Sequence, residues 1–237
     1  MQDKGQIVIQ ESYGPIASFY KIQLLSFGMK NPTRWLLCTL IFIASCKKKG
    51  EDIIIPPPPV TTADNDPLLP GNPTLAQTMS IFSENYLKDN SNYKIAYSRS
   101  RGIQVWVAWH LENGDIGNTQ RQDDFRGDTQ LPASWYQVQT NDYTGSQFDR
   151  GHNSPSADRT LTVSTNSSTF LMTNIIPQAP NLNQGPWAEL EDYTRNTLVG
   201  TNNEAFIFMG NTGSGGYNIN GLWLTIAGGK VTVPAKV

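Results

Sequence analysis

One stretch of the chain carries residue types that could together hydrolyse a phosphodiester bond. His152 lies near its start, Asn183 lies in its second half, and Glu191 follows eight residues later. A neutral imidazole, with a reference pKa of about 6.5, can accept a proton from water at neutral pH. Amide and carboxylate oxygens suit Mg²⁺, which keeps several waters and needs few protein ligands. These residues therefore indicate attack by water with the help of one hydrated divalent metal.

His152 is the better of two candidates for the base. The chain has two histidines, and His110 lies in the alternating pattern of Trp106–Leu111, where we expect a structural or strand-edge role. Arg150 and Gly151 precede His152 and an Asn-Ser-Pro segment follows it, which predicts a polar turn. A single histidine in such a turn is most often a surface residue, and it is the residues downstream that favour a catalytic role.

The metal-binding interpretation rests on Asn183 and Glu191. We expect Asn183 to bind the metal directly through its side-chain carbonyl. Glu191, about two helical turns further on, would hold metal-bound waters. Each residue also has an ordinary alternative: Asn183 could lie in a turn or cap the helix that begins near Trp187, and Glu191 could be a solvated helix residue. Arg195 could pair with Glu191 across one helical turn or face the scissile phosphate.

Composition and motifs exclude several other classes of protein. The net charge of −2 argues against a protein that holds nucleic acid by a broad basic surface, although local arginines could still contact phosphates. No glycine-rich loop ends in Lys-Ser or Lys-Thr, which excludes the phosphate-binding loop of nucleotide hydrolases. The sequence contains no Cys/His cluster for zinc and no Gly-x-Ser-x-Gly elbow for a serine nucleophile.

The first part of the chain has the features of a lipoprotein leader. Residues 1–28 indicate an over-extended gene start, because the leader pattern begins only after them. Residues 29–46 combine a positive flank, the apolar run Trp35–Ala44 and small residues before Cys46, which predicts a bacterial signal peptide with a lipidation site. An ordinary thiol at Cys46 is the alternative. Residues 47–73 are charged and then proline-rich, which indicates a semi-rigid tether. We therefore predict an extracytoplasmic, membrane-anchored bacterial lipoprotein, periplasmic or at the cell surface.

The remainder of the chain, residues 74–237, predicts an α+β domain. Helical spacing is present over Thr74–Asn85 and Trp187–Leu198, and a turn at Ser98–Gly102 joins the first two strands. Strand patterns occupy six segments: Tyr93–Tyr97, Ile103–Leu111, Phe170–Ile176, Phe206–Met209, Leu222–Ile226 and Lys230–Val237. Without a regular βαβ order, these elements indicate a central antiparallel or mixed sheet flanked by helices. The last pattern stops within a strand, so we expect a domain whose C-terminal part is truncated.

Six short motifs follow one another in an order typical of one nuclease family. They are Asn85–Leu87, Tyr97–Gly102, Trp106–Leu111, Asp149–His152, Asn174–Gln178 and Leu182–Trp187. In these motifs the chain resembles the DNA/RNA non-specific endonucleases, which include mitochondrial endonuclease G and belong to the ββα-metal (His-Me finger) superfamily. The likeness covers roughly residues 85–237, and its specificity comes from the last three motifs at matching spacing.

The resemblance implies a role for each candidate residue. His152 corresponds to the general base, Asn183 to the sole direct protein ligand of Mg²⁺, and Glu191 to the carboxylate that holds the metal's water shell. A further group organises the site or contacts phosphate: Arg150, Asn174 and Arg195. The arginine that steadies the transition state corresponds to Arg121, with Arg126 as a rival for that position.

The implied activity is that of a Mg²⁺-dependent, sugar-non-specific endonuclease that leaves 5′-phosphate and 3′-hydroxyl ends, with Mn²⁺ as a substitute metal. DNA and RNA would be its partners, together with a membrane through a lipid at Cys46, and a homodimer is compatible with the same interpretation. The alternative is a catalytically silent nucleic-acid-binding surface lipoprotein, favoured only by the absence of strands and a helix that family members carry after the Val233–Val237 segment. A toxin domain with an immunity partner is a third hypothesis, against which the lipidation pattern argues.

Overall fold

The computed structural model describes residues 65–237, so the predictions for residues 1–46, for Cys46 and for most of the tether lie outside the described residues. Ten strands are present in this part: β1 Tyr86–Asp89, β2 Lys94–Ser98, β3 Ile103–Glu112, β4 Asp149–His152, β5 Ile175–Gln178, β6 Glu204–Gly210, β7 Gly216–Asn218, β8 Gly221–Trp223, β9 Thr225–Ile226 and β10 Val231–Thr232. The α-helices are α1 Val163–Ser168, α2 Pro180–Leu182 and α3 Ala188–Tyr193. Wider π-helical turns occupy Asn183–Trp187 and Thr194–Val199, and 3₁₀ turns occupy Asn113–Asp115, Thr140–Tyr143, Ser156–Asp158, Met172–Asn174 and Ala227–Gly229. The predicted α+β class is confirmed.

A four-stranded antiparallel sheet in the order β1–β2–β3–β6 forms the platform of the domain. Its interior strand β3 buries both faces, because alternate residues enter two different cores. Val107, Trp109 and Leu111 pack in the main cluster, and Trp106 and Ala108 pack in a smaller one. The strands predicted at positions 93–97, 103–111 and 206–209 are thereby confirmed, with bounds that differ by at most two residues.

The second important unit is the antiparallel pair β4–β5 followed by a helical run. Asp149 pairs with Gln178 and His152 pairs with Ile175, which places both ends of β4 against β5. The chain then passes through α2, the Asn183–Trp187 turn and α3. This strand–strand–helix unit is what presents the candidate chemical groups.

Two predicted elements near this unit have different bounds in the structure. The strand predicted from Phe170 begins only at Ile175, because Met172–Asn174 forms a 3₁₀ turn with all three residues buried. The helix predicted from Trp187 begins at Pro180, a residue suited to the first helical position. Its course is then kinked at Gly185, whose backbone angles are φ −117° and ψ −111°.

The helix predicted over Thr74–Asn85 is wrong, since this segment is held as a series of turns beside β1. The side chain of Asn72 accepts from the backbone N–H of Ala76 at 2.9 Å and donates to its carbonyl at 3.0 Å. Leu75 has a left-handed backbone with φ 53°, and Gln77 forms an isolated bridge with the first residue of β1. These side-chain and bridge contacts replace the local hydrogen bonds on which a helix depends.

The C-terminal strands are shorter than predicted. The pattern at Leu222–Ile226 divides into the end of β8 and the two-residue β9, and the pattern at Lys230–Val237 yields only the two residues of β10. Because glycines 228 and 229 both have positive φ, the connection between β9 and β10 is a tight turn.

Residues 65–73, predicted as the end of the tether, pack on the domain. Asp66 is buried and forms an ion pair with Lys94 on β2 at 2.8 Å. The folded unit therefore begins before the predicted boundary at residue 74. Among residues 65–237, no helix has the length and apolar character needed to cross a membrane.

Candidate active site

His152 lies at the end of β4 and is buried, with 8% of its surface exposed. The prediction that it lies in a polar turn is therefore wrong. Its ring packs against two phenylalanines that also contact each other, with centroid distances of 5.4 Å to Phe125 and 4.9 Å to Phe170. Nε2 is enclosed and has no hydrogen-bond partner within the described protein. A buried polar atom without a partner is a place where an ordered water is expected to bind.

Two guanidinium groups flank this aromatic cluster. Arg150 lies 4.2 Å from the centroid of Phe125, and Arg121 lies 4.8 Å from the centroid of Phe170. Burial, reinforced by the charges of Arg121 and Arg150, lowers the pKa of His152 to about 3. The imidazole is therefore neutral at physiological pH and available as a proton acceptor.

We expect His152 to make the fold sensitive to acid. Above about pH 6.5 the ring is neutral in both the folded and the unfolded chain, so it adds no pH dependence. As the pH falls from 6.5 towards the folded-state pKa of about 3, the unfolded chain binds a proton that the folded protein does not. The free energy of unfolding should therefore fall by about 2–3 kcal/mol between pH 7.5 and 4.5 through this residue alone. Urea denaturation at both pH values measures the loss.

The matched control for acid sensitivity is His152→Gln, which keeps a polar side chain that does not titrate. This variant should lose less stability than the wild type over the same pH interval, by the amount attributed to the imidazole. An equal loss in both proteins would show that other groups determine the acid sensitivity.

Gly151 is required by the close packing of β4 on β5. A Cβ atom at this position would overlap the side chain of Gln178 on the paired strand. The smallest residue therefore lets the two strands approach closely beside His152.

Asn183 is held by a carboxylate that the sequence did not identify as part of the site. Its Nδ2 donates to Asp149 Oδ2 at 2.9 Å, and Gln184 Nε2 donates to the same oxygen at 2.8 Å. Asn183 has helical backbone angles inside the helical run, so it is not an N-cap. Because Asp149 accepts from the amide nitrogen, the side-chain oxygen of Asn183 is left to bind another group.

Glu191 lies on α3 in a partly buried, electronegative environment. Burial, and next the charge of Asp158, raise the pKa of Glu191 against the lowering effect of Arg195 and the indole N–H of Trp187, and the result is a pKa of about 7. A carboxylate with a pKa near neutrality is poorly stabilised by the protein alone. A cation or its bound waters would favour its ionised form.

Arg195 pairs with aspartates and not with Glu191 in the described structure. Its guanidinium bonds Asp158 at 2.5 Å and Asp192 at 2.6 Å. Asp158 is buried and also accepts from Trp109 Nε1 at 2.9 Å, which ties the Thr194–Val199 turn to the central sheet. Arg195 therefore forms ion pairs, as one of the two alternatives predicted, but its partners are Asp158 and Asp192 and not Glu191.

Asn174 is fully buried and uses its side chain to shape the chain after His152. Its Nδ2 donates to the carbonyls of Ser154 and Thr169, each at 2.9 Å, and its Oδ1 accepts from the backbone N–H of Ser154 at 3.0 Å. Because these bonds consume its hydrogen-bonding capacity, Asn174 organises the site from within the protein.

Arg121 and Arg126, the two candidates for the arginine that stabilises the transition state, lie in different environments. Arg121 lines an open cleft of about 480 Å³ together with Arg150 and Asn183. Arg121 also pairs with Asp123 at 2.6 Å in the same cleft. Arg126 pairs with Asp124 at 2.7 Å, bonds the carbonyl of Ser167 and is not among the residues that line the cleft. The geometry therefore favours Arg121 as the arginine that faces a bound substrate, and Phe125, which packs on His152, forms part of the same cleft wall.

The donor groups fit a hydrated divalent cation of the Mg²⁺ type. Within residues 65–237, no group of three or more His, Cys, Asp and Glu side chains is arranged to hold a metal. A single oriented amide oxygen at Asn183 and a carboxylate at Glu191 suit a metal that retains most of its waters. The unpartnered Nε2 of the neutral His152 could accept a proton or a hydrogen bond from a water.

Four residues of this site were not identified as site residues from the sequence. Asp149 stood inside a recognised motif but had no assigned role, and the partner that reveals its role is distant in sequence. Phe125, Phe170 and Asp158 lie in segments with no recognisable motif. Their contribution depends on long-range contacts, for which a single sequence carries no signal.

Comparison with known proteins agrees with this geometry. The model of the family described as DNA/RNA non-specific endonuclease matches residues 70–237. A nuclease from Nostoc sp. is 46% identical over 167 residues, which cover 70% of this chain and 58% of the relative. Human mitochondrial endonuclease G is 37% identical over 114 residues, covering 46% and 37% of the two chains. The chain thus spans under two thirds of these relatives. In the solved EndoG/EndoGI complex, a chain of 24% identity superposes with a TM-score of 0.59 over 73% of this chain and 71% of that one, which supports the same fold.

Proposed function

Because the chain belongs to the DNA/RNA non-specific endonuclease family, we propose that it is a metal-dependent endonuclease that hydrolyses phosphodiester bonds in DNA and RNA. The observation that carries the proposal is the buried, neutral imidazole of His152, with an unpartnered nitrogen, beside a cleft that contains Arg121, Arg150 and an oriented Asn183. This arrangement combines a base, cationic groups for phosphate and an oxygen ligand for a metal.

His152 acts as the general base that accepts a proton from the attacking water. Its low pKa in the free protein makes it a weak base, because Arg121 and Arg150 add to the effect of burial. A phosphate bound in the cleft would offset both guanidinium charges and raise the pKa of His152. The base would therefore gain strength when substrate is present.

Asn183 would bind the metal directly, and Glu191 would hold its water ligands. Mg²⁺ is the ion that this oxygen donor set suits, with Mn²⁺ as a substitute. When bound, the metal supplies positive charge that stabilises the phosphorane-like transition state and the departing 3′-oxygen. The expected products carry 5′-phosphate and 3′-hydroxyl ends.

Arg121 and Arg150 would contact the phosphate and stabilise the charge that develops on its oxygens. Such contacts read the backbone and not the bases, so they carry no sequence information. Contacts confined to phosphate also leave the 2′ position of the sugar unread, which is compatible with the proposed cleavage of both DNA and RNA.

Digestion assays with the full chain test the proposal. Supercoiled plasmid and single-stranded RNA should both be cleaved with Mg²⁺ or Mn²⁺, and EDTA should stop both reactions. End-labelling of the products should detect 5′-phosphates. Binding of both polymers without cleavage in the presence of either metal would contradict the enzyme and favour the silent-binder alternative.

A further inference from the structure

A second groove adjoins the candidate cleft. It measures about 490 Å³, and Thr144 lines both the groove and the cleft. Its walls include Trp223 and three glycines, Gly145, Gly228 and Gly229. No atom lies within 4 Å of the position that a Cβ would take at any of these glycines. The groove is therefore open to a ligand that continues out of the cleft.

Trp223 is held in the groove by the β7–β8 hairpin. Asn218 Nδ2 donates to the carbonyl of Ser146 at 2.8 Å, which fastens this hairpin to the segment that follows Thr144. Trp223 is half-buried against the main core, while its neighbour Leu222 is 53% exposed. Trp223 therefore contributes an aromatic residue to the lining of the groove.

The charges around the groove are compatible with a nucleic-acid strand. Lys230 is exposed next to the glycine turn, with its ammonium 5.8 Å from the ring centroid of Tyr136. The acidic residue of the groove, Asp142, has both carboxylate oxygens engaged, one by the hydroxyl of Tyr136 at 2.8 Å and the other by the backbone N–H of Gln139 at 2.8 Å. These bonds hold the carboxylate of Asp142 in place but leave its negative charge, and Lys230 is the exposed cation beside the groove.

We propose that this second groove is a nucleotide subsite for a single-stranded segment of the substrate. The strand leaves the cleft past Thr144, a base contacts the indole of Trp223, and a phosphate lies near Lys230. An aromatic ring beside polar backbone and a rim cation matches the chemistry of a nucleotide. In a duplex the bases are already stacked on one another, so the subsite acts on single-stranded or frayed ends. The inference rests on the proposed nuclease function, since the cleft supplies the first part of the strand's path.

Binding of fluorescein-labelled dT12 and dT4 to the full chain, measured by anisotropy in EDTA, tests the subsite without cleavage. The wild type should bind dT12 more tightly than dT4, because only the longer strand reaches the groove. Trp223→Ala should weaken dT12 binding by roughly 10-fold and leave dT4 unchanged, and Trp223→Phe should retain most of the affinity. Leu222→Ala is the matched control on the same strand and should change neither.

Equal affinity of wild type and Trp223→Ala for dT12 would overturn the inference, as would equal affinity of the wild type for the two oligonucleotides. If Trp223→Ala fails to fold by circular dichroism, Lys230→Ala decides the question, because this exposed side chain is not part of the core. It should reduce the salt dependence of dT12 binding by about one unit of slope and leave that of dT4 unchanged. Since binding is measured in EDTA, loss of the subsite and loss of the proposed nuclease activity are separate results.

Discussion

Replacing His152 by alanine should lower kcat/KM for both DNA and RNA by roughly 10³-fold, the range expected when a general base is removed. The imidazole is held against Phe125 and Phe170 with an unpartnered ring nitrogen. No other histidine lies in this site, because His110 is buried in the central sheet, where it pairs with Glu204 at 3.0 Å. A single removal therefore eliminates the base. Initial rates of plasmid nicking and of RNA cleavage at saturating Mg²⁺ measure the effect.

Chemical rescue distinguishes loss of the base from damage to the fold. The alanine variant leaves a space of imidazole size beside the two phenylalanines, so added imidazole should restore part of the lost rate. The thermal midpoint of the variant, measured in parallel, establishes that the protein is folded. A folded His152→Ala protein that retains more than about a tenth of wild-type turnover would be incompatible with a general-base role of this size.

Asn183→Ala should lower turnover by at least about 10²-fold and raise the Mg²⁺ concentration needed for half-maximal activity, since it removes the one direct protein ligand in the proposed site. Asp149 orients this ligand through a 2.9 Å hydrogen bond from Nδ2. Asp149→Asn should therefore weaken metal affinity by roughly 10-fold while turnover at saturating metal falls less. Titration of cleavage rate with Mg²⁺ separates the two effects.

Gln184→Ala is the matched control for Asn183→Ala. Gln184 donates to the same Asp149 oxygen at 2.8 Å, so the variant removes a comparable hydrogen bond without removing the proposed ligand. Its half-maximal Mg²⁺ concentration should change by less than about 3-fold. A similar response of Gln184→Ala and Asn183→Ala would mean that the local hydrogen-bond network, and not the amide ligand, governs metal dependence.

Candidate site residues could be proposed from the sequence because their chemical types are rare and their spacings are local. With two histidines in the chain, His152 had few rivals, and Asn183 and Glu191 lie on one helical run where spacing alone relates them. The long strand β3 was also predictable, because its own residues carry an alternating pattern. Its pairing with β2 on one side and β6 on the other is consistent with that pattern.

The secondary structure differs from the local sequence pattern where side chains bond residues outside the segment. Helical spacing over Thr74–Asn85 was outweighed by the bonds from Asn72 and the bridge at Gln77. The strand expected from Phe170 starts late because Asn174 bonds the backbone after His152, which holds the preceding turn in place. Neither contact has a signature in the segment whose structure it changes.

The sequence by itself determined which groups could carry the chemistry, since residue type sets what a side chain can donate, accept or bind. The tertiary structure alone decided the state of those groups. His152 is neutral because two phenylalanines bury it and two arginines lie nearby, and Asn183 is oriented because Asp149, 34 positions away, accepts from its amide. Burial and orientation arise from residues far apart in the chain, and they become definite only when the fold brings those residues together.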